Sequence, residues 1–431
     1  MKRENWKRQT FWSLPVYTGD VSGVCSALYE LGGMVVMHDP SGCNSTYNTH
    51  DEIRWMDMES LIFLSGLRDI DAITGNDRKL IDDISESARL FHPKFIAIAN
   101  SPVPWLIGTD FRSICHSVRQ ETGIPVFHVE TNAMHDYTYG AGRGFLELAR
   151  MLFEEENVGN GNGDRDGYRG ESDRQEKSGR QKEPGRQEEN HSAPLRVNVL
   201  GMTPLDFTVR QQVQTLKDLL SEHGFETVSV WGIGDTLDTL AKAPSADVNL
   251  VVSSTGLYAA QYLKEKFGIP YAAGIPAGAF CDVLLQALSE AAVSGKDRIA
   301  YLEVLEACRG RRISASGEYS DAASGAAGTG AKRAYCGEPV TMGSLAADRA
   351  IREQCRCDIV CLTETAEGLL ADADSRPQGE EEIRKILAEY TDVTADPMLR
   401  PACRKDVVFH ELPHFAYSGR LYLNRIPALV R

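Results

Sequence analysis

Short apolar runs, each closed by turn residues and followed by a helical pattern, recur along this 431-residue chain. That alternation restricts the fold more than any other feature. In the first third, 34–37 and 94–99 (KFIAIA) read as buried strands, with 126–129 the next. Between them, 77–90 carries Leu80, Ile81, Ile84 and Ala88 at helical spacing and is stopped by His92-Pro93. A helix over 108–122 is broken by Gly123-Ile124-Pro125. Strand, helix and strand at these spacings make a parallel sheet covered by helices. The pattern returns with strands at 196–200, 226–231 and 246–253 and helices at 207–223, 236–243, 257–267 and 277–292. It returns again with strands at 334–340, 357–362 and 407–410 and helices at 344–355 and 380–391.

The chain is too long for one core, at ~100–200 residues per domain. The expected fold is α/β: three doubly wound parallel-sheet (Rossmann-like) domains around a central crevice, at 1–154, 195–312 and 333–431. Residues 155–194 are almost devoid of apolar side chains and read as a disordered polar linker. The GNGNGD run inside it follows no strand, so it is not a phosphate loop. Residues 313–332, rich in Ser, Ala and Gly, read as a flexible joint. A net charge of −15 argues against a nucleic-acid binder. No apolar run approaches the length of a membrane span, and the N-terminus lacks the apolar core of a signal peptide. The expected location is the cytoplasm, with no membrane partner. The ten cysteines include no CxxC pair and do not form a secreted disulfide framework.

One stretch concentrates chemistry. In GGMVVMHDPSGCNST (32–46), the strand stops at His38-Asp39-Pro40, and Ser41-Gly42 turns to present Cys43. A cysteine fixed by a stiff turn at a strand end suits a metal ligand or nucleophile, and equally a small buried thiol. Cys25, early in a helix that begins near the same turn, is a second candidate ligand, or else a core residue. Asp20 is a possible oxygen ligand or a turn cap. Ser101 stands, like Cys43, at the C-terminal end of a strand, where functional groups of such sheets gather. His414, in a loop after a strand, can ligate a metal, transfer a proton or bond to backbone. In CRCDIVC (355–361), Cys357 and Cys361 share one face of a strand while Cys355 falls at a helix end, and the run reads as packing. No GxxxxGK[ST] loop is present, so there is no ATP site of that kind.

His38-Asp39-Pro40-Ser41-Gly42-Cys43 resembles the His-Gly-Pro-x-Gly-Cys turn of the nitrogenase component 1 superfamily. That group holds dinitrogenase subunits, cofactor scaffold proteins, dark protochlorophyllide reductase and the F430 reductive cyclase. Residues 72–80 (AITGNDRKL) resemble its Val-Phe-Gly-Gly-x-x-Lys-Leu segment. Residues 101–110 (SPVPWLIGTD) resemble its Cys-Pro-x-x-Leu-Ile-Gly-Asp-Asp. Residues 414–422 (HFAYSGRLY) resemble the loop with the histidine ligand of the dinitrogenase cofactor. The likeness runs over nearly the whole chain. The departures are specific: the first cluster cysteine would fall near Gly19 or Asp20, the third at Ser101, and the cofactor cysteine near Ser253 or Ser254.

The resemblance implies a divergent member that is not a dinitrogenase. It would be an oxidoreductase subunit receiving electrons from an iron-protein-type, ATP-dependent reductase. Electrons would pass through an iron–sulfur cluster, [4Fe-4S], shared across a subunit interface on Cys43 and Cys25, with Asp20 and Ser101 beside it. The substrate would lie near His414. The assembly would be a homodimer or a heteromer with a paralogous subunit. The alternative is a non-catalytic scaffold or carrier for a metal cofactor or tetrapyrrole.

Overall fold

The computed structural model describes residues 16–40, 52–154, 193–208, 210–309, 311–313, 319–321, 331–364 and 368–430. Cys43 and most of the polar segment 155–194 lie outside them.

Three parallel sheets organise these residues. The first has strand order β2-β1-β3-β4, with β1 Met34–His38, β2 Leu61–Leu64, β3 Ile96–Asn100 and β4 Val126–Val129. The second has order β6-β5-β7-β8-β9, with β5 Leu195–Met202, β6 Phe225–Gly232, β7 Val248–Val251, β8 Tyr271–Ala273 and β9 Arg298–Ile299. An antiparallel pair follows, β10 Arg311–Ile313 and β11 Tyr319–Asp321, and β11 lies inside the stretch 313–332 whose composition reads as a joint. The third sheet has order β13-β12-β14-β15, with β12 Arg333–Gly337, β13 Cys357–Cys361, β14 Asp392–Ala395 and β15 Val408–Glu411. In each of the three sheets a crossover reverses direction at the first strand, which leaves a crevice at the C-terminal edge.

The local reasons are ordinary. β1 (MVVMH) and β3 (IAIAN) are buried at every position, as strands covered on both faces must be. Helix Asp77–Phe91 buries Leu80, Ile81, Ile84 and Ala88 and ends where His92 turns left-handed before Pro93. Helix Pro339–Glu353 starts a turn and more before the sequence expectation. Glu338 caps it, accepting from the Val340 and Thr341 amides, and Pro339 occupies its first position. The 207–223 helix divides at Thr208 into Pro204–Phe207 and Gln211–Glu222.

Helix Asp20–Leu28 crosses helix Tyr137–Phe153 backbone to backbone. A Cβ on Gly23 would sit 2.3 Å from the Tyr137 carbonyl oxygen, and one on Gly140 would sit 1.9 Å from that of Asp20. Only glycine admits this approach. The crossing carries the first sheet onto the second, because the same helix meets Thr255 and Tyr258 at Gly142. Among the described residues no helix is long and apolar enough to cross a membrane.

Candidate functional site

Two places gather chemistry, and the first is the C-terminal edge of the first sheet. The register pairs His38 with Asn100, and the Ser101 amide donates to the His38 carbonyl at 3.2 Å. His38 Nδ1 meets Ser65 Oγ at 2.8 Å, and burial holds its imidazole down to about 4. The Ser101 hydroxyl and Asp39 Oδ2 are buried with no hydrogen-bond partner among the described residues. Cys43, which the chain would present here, lies outside the described residues.

The other residues expected at this edge are engaged elsewhere. Asp20 is fully buried and spends both oxygens on backbone amides: Val21 at 2.7 Å, Asn132 at 2.9 Å and Ala133 at 3.0 Å. Burial raises its pKa even so. It anchors the loop that leads into helix Tyr137–Phe153. Cys25 is 0% exposed inside the main apolar core, and desolvation drives its thiol pKa up, which keeps it protonated. Among the described residues no group of three or more His, Cys, Asp or Glu is placed to hold a metal ion. Cys25 and Asp20 are thus already engaged, one by the apolar core and the other by backbone amides.

The second place is where all three sheets meet. Tyr137 begins the helix after β4, Asp206 follows β5, Glu338 follows β12, and His414 and Tyr417 follow β15. Tyr137 Oη donates to Asp206 Oδ1 at 2.5 Å, and Thr203 Oγ1 donates to Oδ2 at 3.2 Å. His414 is 3% exposed, with Nε2 3.2 Å from Asp206 Oδ1 but outside hydrogen-bonding geometry. Its backbone amide is held by Asp396 at 2.8 Å, which also accepts from Ser418 Oγ. The His414 ring lies 4.5 Å from that of Tyr417 and 6.3 Å from that of Tyr137.

Glu338 closes this junction. It accepts from the Ser254 amide at 2.8 Å as well as from its own helix. Burial, followed by the nearby Asp206 charge, raises its pKa. Burial is also the main cause of the raised pKa of Tyr137 and of Tyr417, with Asp206 and Glu338 among the further causes. Around these groups, both ring nitrogens of His414, Tyr417 Oη, Ser254 Oγ and Thr341 Oγ1 are buried with no hydrogen bond among the described residues. Orphaned polar atoms are rare in folded proteins and mark ordered water or a bound group. Several together, from the second and third sheets, make this a candidate binding site that holds exchangeable protons. Of its members, the sequence singles out His414, and the resemblance places the cofactor cysteine near Ser254. Glu338-Pro339 directly after a strand is a helix-start signal that could have found another.

The site and fold together define an α/β protein of three parallel sheets with a buried polar junction between them. Residues 23–327 match the family described as nitrogenase component 1 type oxidoreductase, and the chain belongs to that family. It is 25% identical over 246 residues to the nitrogenase iron-molybdenum cofactor biosynthesis protein NifE of Methanosarcina barkeri, covering 55% of this chain and 46% of that protein. It is 41% identical over 85 residues to a subunit of the light-independent protochlorophyllide reductase of Prosthecochloris aestuarii, covering 19% of this chain and 16% of that protein. Each match spans less than half of the relative's length. Among solved structures, nitrogenase Cp1 at pH 6.5 shares the fold, with a TM-score of 0.58 at 14% identity over 97% of this chain and 93% of that one.

Proposed function

We propose that this chain is a reductive subunit that binds its substrate at the three-sheet junction and takes electrons from a separate ATP-hydrolysing iron–sulfur reductase. The observation that carries the proposal is the set of orphaned polar atoms on His414, Tyr417, Ser254 and Thr341 around Glu338. Each two-electron reduction consumes protons. A carboxyl whose proton is retained by burial, as on Glu338, suits that supply. His414 is assigned the contact to the bound group. The partner interface is assigned to the C-terminal edge of the first sheet. Helices Asp69–Thr74 and Pro102–Leu106, which follow β2 and β3 there, leave Ile70, Ile73, Trp105 and Leu106 exposed.

The cluster expected on Cys43 has no second thiolate among the described residues, and it is tested separately. Iron and acid-labile sulfide are measured in anaerobically purified wild type and Cys43→Ala. Loss in the variant supports the cluster, and iron-free wild type after reconstitution removes it. The junction is tested with probes from the two cofactor classes that the relatives name, protochlorophyllide and the iron-molybdenum cofactor, read by absorbance under anaerobic conditions. One of them is expected to bind wild type and to lose at least tenfold in affinity in His414→Ala. Equal binding by both proteins would overturn the assignment of His414.

A scaffold or carrier role is the second reading, favoured by the longer match to a cofactor biosynthesis protein. Turnover separates the two. A reductase converts the bound probe when reduced partner and ATP are added, whereas a carrier releases it unchanged.

A further inference from the structure

The third sheet holds a pair of thiols that the junction does not use. Cys355 Sγ and Cys357 Sγ lie 3.7 Å apart. Gln354 takes a left-handed turn at φ 50° after helix Pro339–Glu353, which swings Cys355 over the start of β13. Cys361 sits at the far end of that strand and donates to the Thr363 carbonyl at 3.1 Å.

We infer that Cys355 and Cys357 form an oxidative modification site, closed to an intramolecular disulfide by a small hydroperoxide such as hydrogen peroxide. The two sulfurs need to approach by only about 1.6 Å to reach bonding distance. The surroundings assign unequal roles. Either thiol can donate across this contact. The contact with Cys357 lowers the Cys355 thiol against burial; Arg333 and Arg349 help and Glu353 opposes. Cys357 is correspondingly raised. The neighbouring Arg333 and Arg349 and the greater exposure of Cys355 together assign it as the nucleophile and Cys357 as the resolving thiol. Access agrees with that order. Cys355 is 5% exposed, between the exposed Gln354 and Arg356, whereas Cys357 is 1% exposed. Such an opening admits a peroxide far more readily than a bulky disulfide.

The chemistry balances with the peroxide as the sole oxidant. The Cys355 thiolate attacks one peroxide oxygen, the O–O bond breaks, and hydroxide leaves, giving a sulfenic acid. The Cys357 sulfur displaces the hydroxyl of that sulfenic acid. The S–S bond forms, and water leaves with the Cys357 proton. Two thiols are oxidised, and one peroxide is reduced to two waters.

The test is peroxide treatment of the reduced full chain, followed by unfolding, alkylation and peptide mass mapping. The expected result is that the peptide with Cys355 and Cys357 loses both alkyl groups and two mass units, while Cys361 stays fully alkylated. In Cys357→Ser a dimedone adduct is expected on Cys355. In Cys355→Ser, oxidation of Cys357 should slow at least tenfold. Full alkylation of both thiols in peroxide-treated wild type would overturn the inference. So would unchanged oxidation of Cys357 in Cys355→Ser.

Discussion

His38 and His128 flank the end of the first sheet, and burial holds both imidazoles down to about 4. His128 stacks on Phe111 with ring centroids 4.3 Å apart and reaches Asn100 Oδ1 at 2.8 Å. Both are neutral in the folded protein, so the unfolded chain takes up protons first as pH falls. Their stability contribution is full above about pH 6.5 and is lost as pH drops toward 4. Asp136 works the other way. Burial pushes its carboxyl up to about 6, so it favours the folded state at low pH and costs stability as pH rises through 6. Urea unfolding from pH 4 to 7 separates them. His38→Gln is expected to flatten the acid-side loss by up to about 1.4 kcal/mol per pH unit, and Asp136→Asn to steepen it. A His38→Gln profile parallel to wild type would refute the assignment. Much at this scale was illegible in the sequence. Cys25 lies on a helix buried on nearly all sides, so its spacing could not separate ligand from core. Asp20 finds its partners at Asn132 and Ala133, more than a hundred positions away. His414 was readable as a functional residue, whereas Asp206 comes from the second sheet and carries no local signal, and Glu338 carries only that of a helix start.

The alternation of strands and helices was legible at the level of elements, because fully buried parallel strands read as continuous apolar runs. Among the elements that went unread, two have plain physical reasons. β14 (DVTA) is too short and polar to stand out from the helix before it. Helix Tyr137–Phe153 (YTYGAGRGFLELARMLF) carries glycines that lower helix propensity, and only the crossing with Asp20–Leu28, invisible in the local pattern, gives Gly140 its purpose. This gives a prediction with opposite signs along one helix. Gly140→Ala forces its Cβ against the Asp20 backbone and is expected to cost about 2–3 kcal/mol or more. Gly144→Ala meets only ordinary van der Waals distances, 3.7 Å to Val24 Cα, and is expected to be neutral or to stabilise by up to about 1 kcal/mol. Chemical denaturation of both variants checks the pair. Equal effects would mean that the crossing does not set the role of these glycines.

On the scale of the whole molecule, a charge network centred on the buried Glu30, Glu52 and Arg54 ties the first sheet to the other two. Glu30 follows helix Asp20–Leu28 with its side chain 3% exposed. One of its oxygens accepts from Arg54 at 3.0 Å, and the other accepts from Arg210 at 3.0 Å and from the Gly234 amide at 2.8 Å, both in the second unit. Arg54 is further held by Glu52 at 2.6 Å and by the Ser26 carbonyl at 2.8 Å, and its guanidinium lies over Tyr29. The Glu52 carbonyl accepts from Arg420 of the third unit at 3.2 Å. Near the end of the chain, the Leu429 and Val430 amides donate to Gln212 of the second unit. A buried ion pair adds little net stability, but removing one partner leaves the other charge uncompensated. Here Glu30→Ala leaves Arg54 paired with Glu52 but the Gly234 amide without its acceptor, so it should cost about 1–3 kcal/mol, and the loss should fall on the contact between the first and second units rather than within either. Differential scanning calorimetry is expected to show the wild-type endotherm broaden or divide in Glu30→Ala, with the lower-melting component moving most. Arg210→Ala removes a half-exposed partner of the same carboxylate and should shift melting far less, because the Arg54 and Gly234 bonds to Glu30 remain. A single sharp transition in Glu30→Ala, displaced no further than in Arg210→Ala, would show that the three sheets are coupled through their apolar contacts alone.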